Sequence, residues 1–259
     1  MHVSEDSVAT NYNSAGTTIM ELIYGDNYLS PGGESASAAL ASFGQIAPGE
    51  QVLDAGSGLG GAAFYLAKQL GCVVCGIDVL AENVTSASER AQANGIADKV
   101  SFVCGDATTL PFTDHSYSVV WGQDAWCHIE DKSTLVQEFS RVLKKDGKLV
   151  FSDWLLGRPA DSRNEAIRRI TASPFMAEMQ GYEDYLGRHG FKLTDHADGS
   201  AAFVERYRAI LTRLRALEAS LCERFPTRVY EKVLSKQTAV FEGFECGDLR
   251  FGSFVARRV

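Results

Sequence analysis

Short apolar runs alternate with longer segments of helical periodicity through the middle of the chain. The runs have the length of buried strands and are, in order from residue 51, QVLDAG, CVVCGIDV, VSFVCGD, YSVVWGQDAW and GKLVFSDW. Segments between them, such as GAAFYLAKQL and KSTLVQEFSRVLK, place apolar residues at helical spacing. Strands that alternate with helices in this way predict a parallel, doubly wound α/β sheet.

The two ends of the chain have a different pattern. The first 50 residues predict helical segments broken by the loop YGDNYLSPGG, which is rich in glycine and proline. After residue 155 the pattern is mainly helical, and FVERYRAILTRLRALEASL carries an apolar stripe that is typical of packing. FKLTDHAD and LRFGSFVARR predict late strands, the second of them at a sheet edge. We therefore expect one domain with a helical cover.

Composition and charge limit the class of protein. The 259 residues are 45% hydrophobic and 22% charged, as in ordinary folded proteins, and the formal net charge is −8. A negative chain is a poor match for nucleic acid or an anionic membrane as the main partner. The polar start and the lack of a long apolar run favour a cytoplasmic protein with no secretory signal or membrane span. Cys72 and Cys75 form C-x-x-C inside a predicted strand, where they face opposite sides, so we expect no disulfide and no metal site.

The stretch VLDAGSGLGG, residues 52–61, has the composition of a nucleotide-binding turn. Gly56, Gly58 and Gly61 satisfy the spacing G-x-G-x-x-G, which dinucleotide-binding proteins share. Glycines at such a turn let a ligand lie against the backbone with no side chain in the way. The loop alone therefore leaves open a nicotinamide cofactor, another nucleotide, or a tight turn without a ligand.

Acidic residues at three predicted strand ends separate these alternatives. Asp54 lies two residues before the first glycine, where it can face an ammonium group. Asp78 ends the second strand, suited to both hydroxyls of a ribose, and Asp106 ends the third, suited to the exocyclic amine of adenine. One acidic strand end fits NAD, whereas three favour S-adenosylmethionine, which has an ammonium group and no phosphate. Val79 and Ala107, which follow two of these residues, are predicted to line the same site.

Residues 50–155 resemble a class I S-adenosylmethionine-dependent methyltransferase. The resemblance rests on D-x-G-x-G-x-G, G-I-D, G-D-A and RVLKKDGKLVFSDW, with Ser57 where the family usually has cysteine or glycine. It implies a Rossmann-like seven-stranded mostly parallel sheet with an antiparallel last strand, helices on both faces and a helical cap. The implied single domain, 1–259, comprises an N-terminal cap (1–48), a cofactor-binding core (49–155) and acceptor-side helices with the last strands (156–259).

Two further stretches narrow the resemblance. NYNSAGTTIMELIYGDNYLSPGG is similar to the N-terminal cap of phosphoethanolamine methyltransferases, and VVWGQDAWCHIEDK to these enzymes and to sarcosine/dimethylglycine N-methyltransferases. The C-terminal GDLRFGSFVARR is more similar to the second family. The likeness implies that Leu29 and Ser30 cover the cofactor, that Gln123 faces it, and that Asp124 stabilises a cationic acceptor. It thus implies N-methylation of a small amine.

His128 is the candidate base. Methyl transfer is an in-line displacement, and an amine must lose its proton before its lone pair can attack. A histidine placed after the fourth predicted strand is suited to taking that proton. By the resemblance, Tyr12 closes over the site and hydrogen-bonds His128 or the amine. A structural histidine and a tyrosine that only packs are the alternatives that stay open.

The residues around the acceptor are less defined. Trp126 and Trp154 either form faces for an ammonium through cation–π attraction or belong to the core. Phosphoethanolamine enzymes hold phosphate with tyrosines, an arginine and a lysine, whereas this chain has Trp154 at the first tyrosine and the neutral TASPFM and QTAVF near the two cations. A dianionic phosphate is poorly held without cations. We therefore predict a carboxylate-bearing amine such as sarcosine or dimethylglycine, with Arg168, Arg169 or Arg250 as its cation.

Other functions are compatible with the sequence. The apolar segments FMAEM and AVFEGF suit a lipophilic pocket, for C- or O-methylation of a larger natural product or prenyl lipid. A cofactor-binding regulatory protein without turnover is the alternative of another class, which the intact QDAWCH stretch disfavours. A dehydrogenase ranks last because it leaves Asp54 and Asp106 without a ligand group to bind.

Overall fold

The computed structural model describes residues 14–157 and 173–259 and contains a seven-stranded sheet. Its strands are β1 (Gln51–Ala55), β2 (Val73–Asp78), β3 (Val100–Cys104), β4 (Tyr117–Gln123), β5 (Leu143–Leu156), β6 (Phe191–Asp198) and β7 (Leu249–Arg258). They lie in the order β3-β2-β1-β4-β5-β7-β6, and only β7 is antiparallel to its neighbours. This confirms the predicted Rossmann-like sheet. LRFGSFVARR, predicted at an edge, lies instead between β5 and β6, because β6 pairs outside it.

Helices cover both faces of this sheet, as predicted. In chain order they are α1 (Ser14–Tyr24), α2 (Gly33–Phe43), α3 (Gly61–Leu70), α4 (Ala81–Ala93), α5 (Lys132–Val142), α6 (Met179–Arg188), α7 (Ser200–Ala216), α8 (Glu218–Arg224) and α9 (Thr227–Glu245), and a 3₁₀ turn spans Trp126–His128. Leu40 of α2 and Leu66 of α3 pack into one face. Phe139 of α5 and Leu186 of α6 pack into the other.

The apolar runs of the sequence are strands buried on both faces. Val52 faces the cluster under α2 and α3, and its neighbour Leu53 faces the cluster under α5 and α6. Val150 and Phe151 divide in the same way on β5. Successive side chains of a strand point to opposite faces, so a strand covered on both sides needs apolar residues throughout.

The predicted apolar stripe near the C-terminus folds as α7 and the first part of α8 and helps to build the helical cover. Phe203 and Tyr207 pack against Trp154, near the end of β5. Ile210 and Leu214 pack in a second cluster with residues of α1. The stripe therefore serves packing, and the cover lies over the carboxyl end of β5 beside α1.

No helix within residues 14–157 and 173–259 is both long and apolar enough to cross a membrane. The same residues contain no group of three His, Cys, Asp or Glu side chains that could hold a metal ion. Cys72 and Cys75 are free thiols, and Cys72 Sγ donates to Ala47 O at 3.6 Å.

Candidate active site

A cavity of about 710 Å³ opens at the carboxyl ends of β1 to β4. It lies where the strand order reverses, between β1 and β4, which is the position at which open α/β sheets bind ligands. Its size is typical of a cofactor site. The cavity is lined by all ten residues that the sequence predicts to hold the cofactor: Leu29, Ser30, Asp54, Gly56, Gly58, Asp78, Val79, Asp106, Ala107 and Gln123. The fold therefore brings these separate segments together.

The turn after β1 carries the backbone close to this cavity. Gly56 has a φ of +88° and Gly58 a φ of +52°, a region that glycine enters at little cost. The N–H groups of Gly56 and Ser57 donate to Ile77 O at 2.9 and 3.0 Å, which fastens the turn to β2. A Cβ atom on Gly56 would lie 2.5 Å from Ala125 Cβ. The shape of the turn therefore requires glycine there.

Asp78, at the end of β2, connects that turn to the following helix. Its Oδ2 accepts a hydrogen bond from Gly58 N–H at 2.8 Å. Its Oδ1 accepts from Leu80 N–H at 2.9 Å and from the Asn83 amide at 3.2 Å. Burial raises the pKa of Asp78, and these hydrogen bonds oppose the shift. The side chain lines the cavity as well, so one carboxylate both shapes the glycine turn and faces the ligand.

Asp54 and Ser57 give the cavity buried oxygens that a ligand would satisfy. Asp54 is 1% exposed, and its Oδ2 has no hydrogen-bond partner among the described residues. Ser57 Oγ likewise has none within the described part of the chain. Burial, with the nearby charge of Asp78, raises the pKa of Asp54 to about 7. A bound ammonium would favour the ionised carboxylate and a phosphate would be repelled, so these residues fit S-adenosylmethionine better than a dinucleotide.

Gln123 and Asp106 are held in the cavity wall by protein partners. Gln123 Oε1 accepts from Ser37 Oγ at 2.8 Å, and Ser37 Oγ also lies 3.2 Å from Tyr28 OH. Asp106 Oδ1 accepts from both N–H and Oγ1 of Thr108, each at 2.8 Å. These contacts fix both side chains in place before a ligand arrives.

A second, smaller cavity of about 40 Å³ lies beneath the helical cover. Its free space is enough for a few waters. Four residues line both cavities and form the junction between them: Leu29, Ser30, Asp124 and His128. The remaining walls come mainly from α1, β5, α7 and α9 and include Tyr24, Trp154, Tyr207 and Lys236. A group held in the small cavity therefore meets the large one at Asp124 and His128.

Asp124 lies at this junction in a conformation that residues other than glycine rarely adopt. Its φ is +57°, and its N–H donates to Ser152 O at 2.9 Å. Oδ1 accepts from Ser152 Oγ at 2.5 Å, whereas Oδ2 is buried with no partner in the residues that the structure describes. Burial raises the pKa of Asp124 to about 7, and the Ser152 hydrogen bond and the charge of Arg206 oppose that shift. The strained backbone and the open oxygen are typical of a ligand contact.

His128 reaches the junction from the 3₁₀ turn after β4. This residue lines both cavities. Among the hydrogen bonds that fix the turn, Trp126 Nε1 donates to Ala55 O at 3.0 Å, and Cys127 N–H donates to Asp153 Oδ1 at 3.1 Å. The predicted base therefore lies where the two cavities meet, next to the buried carboxylate of Asp124.

The two candidate tryptophans have different environments. Trp126 is 1% exposed and packs between Phe139 and Phe151, with ring centroids 4.8 and 4.5 Å away. It lines neither of the two cavities, so the predicted acceptor role of Trp126 is corrected: the turn directs its ring into the sheet core. Trp154 lines the small cavity, and its Nε1 has no hydrogen-bond partner within the described residues. Of the two tryptophans, Trp154 is therefore the candidate for contact with the methyl acceptor.

Lys236 is a cation that the sequence prediction missed. It lies on α9 and lines the small cavity with Tyr24 and Tyr207. Burial, together with the positive charge of Lys232, lowers the pKa of Lys236 to about 8. Lys236 directly precedes the neutral segment QTAVF and lies one helical turn before the buried Val240. Helical spacing was the signal that places it on the inner face.

Of the three arginines predicted as acceptor cations, Arg250 is the one within the described residues. Arg250 is exposed, and its guanidinium donates to Asp198 at 2.8 Å. It lines a separate cavity of about 530 Å³ and neither of the two cavities described above, so its role as acceptor cation stays a prediction. Tyr12, Arg168 and Arg169 lie outside the described residues, and their roles stay predictions.

Known proteins resemble this chain across its length. A family model described as a methyltransferase domain matches residues 53–151. A phosphoethanolamine N-methyltransferase of Plasmodium falciparum is 33% identical over 184 residues, covering 70% of this chain and 68% of that protein. The chain spans about half the length of the curated plant phosphoethanolamine N-methyltransferases that it matches.

Two solved structures share the fold. Phosphoethanolamine N-methyltransferase 2 of Haemonchus contortus, in complex with phosphomonomethylethanolamine and S-adenosylhomocysteine, has a TM-score of 0.90 at 24% identity over 98% of this chain and 59% of its own. A putative sarcosine dimethylglycine methyltransferase of Galdieria sulphuraria has a TM-score of 0.77 at 23% identity, covering 86% of this chain and 84% of its own. The chain belongs to the class I S-adenosylmethionine-dependent methyltransferases, in the family that includes the phosphoethanolamine N-methyltransferases.

Proposed function

We propose that this chain methylates the nitrogen of a small amine that also carries an anionic group. The observation that carries the proposal is the small cavity, which is lined by Lys236 and meets the large cavity at Asp124 and His128. S-adenosylmethionine, when bound in the large cavity, supplies an electrophilic methyl group. In that cavity Asp54 holds an ammonium, Asp78 the ribose hydroxyls and Asp106 the adenine amine.

The junction residues prepare the acceptor nitrogen. Asp124, whose pKa is raised to about 7 mainly by burial, is ionised above that pH. It holds the protonated amine through Oδ2, which has no hydrogen-bond partner among the described residues. An imidazole nitrogen of His128 then takes the proton, which leaves a lone pair free to attack. In this proposal Tyr12 assists the proton transfer, since the resemblance places Tyr12 over His128.

Lys236 and Trp154, in the wall of the small cavity, bind the anionic group. The Lys236 ammonium supplies a positive charge, and Trp154 Nε1 supplies a hydrogen-bond donor that no described residue uses. Both carboxylate and phosphate present the oxygens that such donors recognise. Three ionisable side chains at the small cavity, Asp124, His128 and Lys236, favour a charged acceptor over a prenyl chain.

The acceptor class is tested by S-adenosylhomocysteine release over a panel of amines. The panel contains ethanolamine, phosphoethanolamine, glycine, sarcosine and dimethylglycine, and we expect turnover with acceptors that carry an anion and none with ethanolamine. Preference for phosphoethanolamine identifies a phosphate, and preference for sarcosine or dimethylglycine a carboxylate. Silence across the panel with calorimetric cofactor binding intact would contradict the proposed acceptor, and turnover of a prenyl substrate in its place would establish the alternative.

Lys236 has a predicted effect on acceptor affinity. We expect Lys236→Met to raise the acceptor KM about 10- to 100-fold, since a hydrogen bond to a charged group is worth about 1.5–3 kcal/mol. In the wild type, KM should rise below pH 7 as Asp124 takes up a proton and above pH 8 as Lys236 loses one. Lys236→Met should remove the alkaline rise. The matched control is Lys192→Met, which removes an exposed lysine from β6. An equal rise in KM in both variants would argue against an anion site at Lys236.

A further inference from the structure

A buried ammonium lies beneath the turn that carries His128. Lys132 is 3% exposed, and its Nζ donates to the carbonyl oxygens of Trp126 at 2.9 Å, Ile129 at 2.8 Å and Phe175 at 2.6 Å. A buried ammonium is costly unless its donors are satisfied, and here backbone oxygens satisfy them. Two of those oxygens flank His128, so Lys132 ties both ends of the turn to one point.

Asp153 is a second buried side chain that holds the turn carrying His128. It is fully buried, its Oδ1 accepts from Cys127 N–H at 3.1 Å, and its Oδ2 accepts from Tyr182 OH. Phe175 N–H donates to Cys127 O at 3.0 Å. The N–H and C=O of the residue directly before His128 are therefore both bonded to groups outside the turn.

The network also reaches the walls of the small cavity. Asp153 directly precedes Trp154, and Phe175 lies two residues after Ser173; both Trp154 and Ser173 line that cavity. Lys132 and Asp153 themselves line neither of the two cavities. They therefore act on the base and on the acceptor walls only through the backbone.

We propose that Lys132 and Asp153 are positioning residues that set His128 against the acceptor. This rests on the proposed function, since it assigns the proton transfer to His128. Removing the Lys132 ammonium leaves the carbonyl oxygens of Trp126 and Ile129 without that donor and loosens the turn. A displacement of about 1 Å in a reacting group costs on the order of 100-fold in rate.

Lys132→Met is the direct test, because it keeps an unbranched chain and removes the donor. We expect kcat to fall about 10- to 100-fold while the calorimetric Kd for S-adenosylhomocysteine stays within about twofold of wild type. Amide hydrogen exchange at Cys127 and Ile129 should become faster relative to β4. The matched control is Val136→Ala, one helical turn along α5 in the core, which should lower thermal stability but leave kcat per folded enzyme and this relative exchange unchanged.

A double-mutant comparison separates this proposal from the proposed function. If Lys132 acts through His128, adding Lys132→Met to the His128→Ala variant should lower its kcat only slightly further. Additive losses, or unchanged exchange at Cys127, overturn the positioning role. Wild-type turnover of His128→Ala alone overturns the proposed base instead, and the exchange measurement still decides whether Lys132 holds the turn.

Tyr182→Phe covers the case in which Lys132→Met fails to fold. It removes only the hydroxyl that donates to Asp153, so the protein keeps its core packing. We expect a smaller fall in kcat and faster exchange at Cys127, with cofactor affinity retained. Wild-type values for both kcat and exchange would overturn the proposal.

Discussion

Asp78→Ala is expected to weaken S-adenosylmethionine binding by at least about 100-fold, because two hydrogen bonds to a charged carboxylate are worth about 3–6 kcal/mol. The proposed ribose contacts account for that loss. A second effect adds to it: without the carboxylate, Gly58 N–H and Leu80 N–H lose their acceptor, and the glycine turn loses one of its links to β2. Calorimetric titration with S-adenosylmethionine and S-adenosylhomocysteine measures the change.

The control for Asp78→Ala is Asp98→Ala, which removes the same charge from an exposed position outside the large cavity. We expect Asp98→Ala to bind with wild-type affinity. Wild-type affinity in Asp78→Ala would show that the cofactor does not use this strand end. Tight binding of a nicotinamide dinucleotide by the wild type would favour the dehydrogenase alternative.

His128→Ala is expected to lower kcat about 100- to 10,000-fold, the usual range for loss of a general base. Cofactor affinity should be largely retained, since the carboxylates and the glycine turn that build the large cavity are untouched. Steady-state turnover with the best acceptor of the panel, together with calorimetry, measures both quantities. A fall in kcat without a matching loss of cofactor binding identifies a role in the transfer step.

His196→Ala is the matched control for this variant, because His196 is exposed on β6 and lines neither of the two cavities. It should leave kcat unchanged. Undiminished turnover in His128→Ala would remove His128 from the mechanism. In that outcome the acceptor amine reaches the site already deprotonated, and Asp124 and Ser30 are left as polar contacts at the junction.

The cofactor half of the site follows from the sequence because it depends on local order along the chain. Asp54, Asp78 and Asp106 each follow an apolar run, and parallel strands bring their carboxyl ends to one edge of a sheet. Strand direction and the period of two therefore predict that these carboxylates meet. The glycine turn adds the backbone approach, and both features are visible without tertiary contacts.

The acceptor half was decided only by tertiary structure. Trp126 and Trp154 have similar local sequence support, yet one ring packs in the core and the other lines the small cavity. That difference depends on the rotation of a three-residue turn, which apolar periodicity does not encode. Lys236 lies more than 100 residues after His128 and enters the cavity only because α9 folds back beside α7.

The sequence by itself thus determined the sheet, the strand-end carboxylates and the position of His128 after β4. Tertiary structure decided which side chains face that histidine and how its turn is held. The physical reason is the range of the interactions involved. Strand ends and glycine turns are set by neighbouring residues, whereas the contacts of Lys132, Trp154 and Lys236 join distant elements whose relative placement depends on the packing of the whole domain.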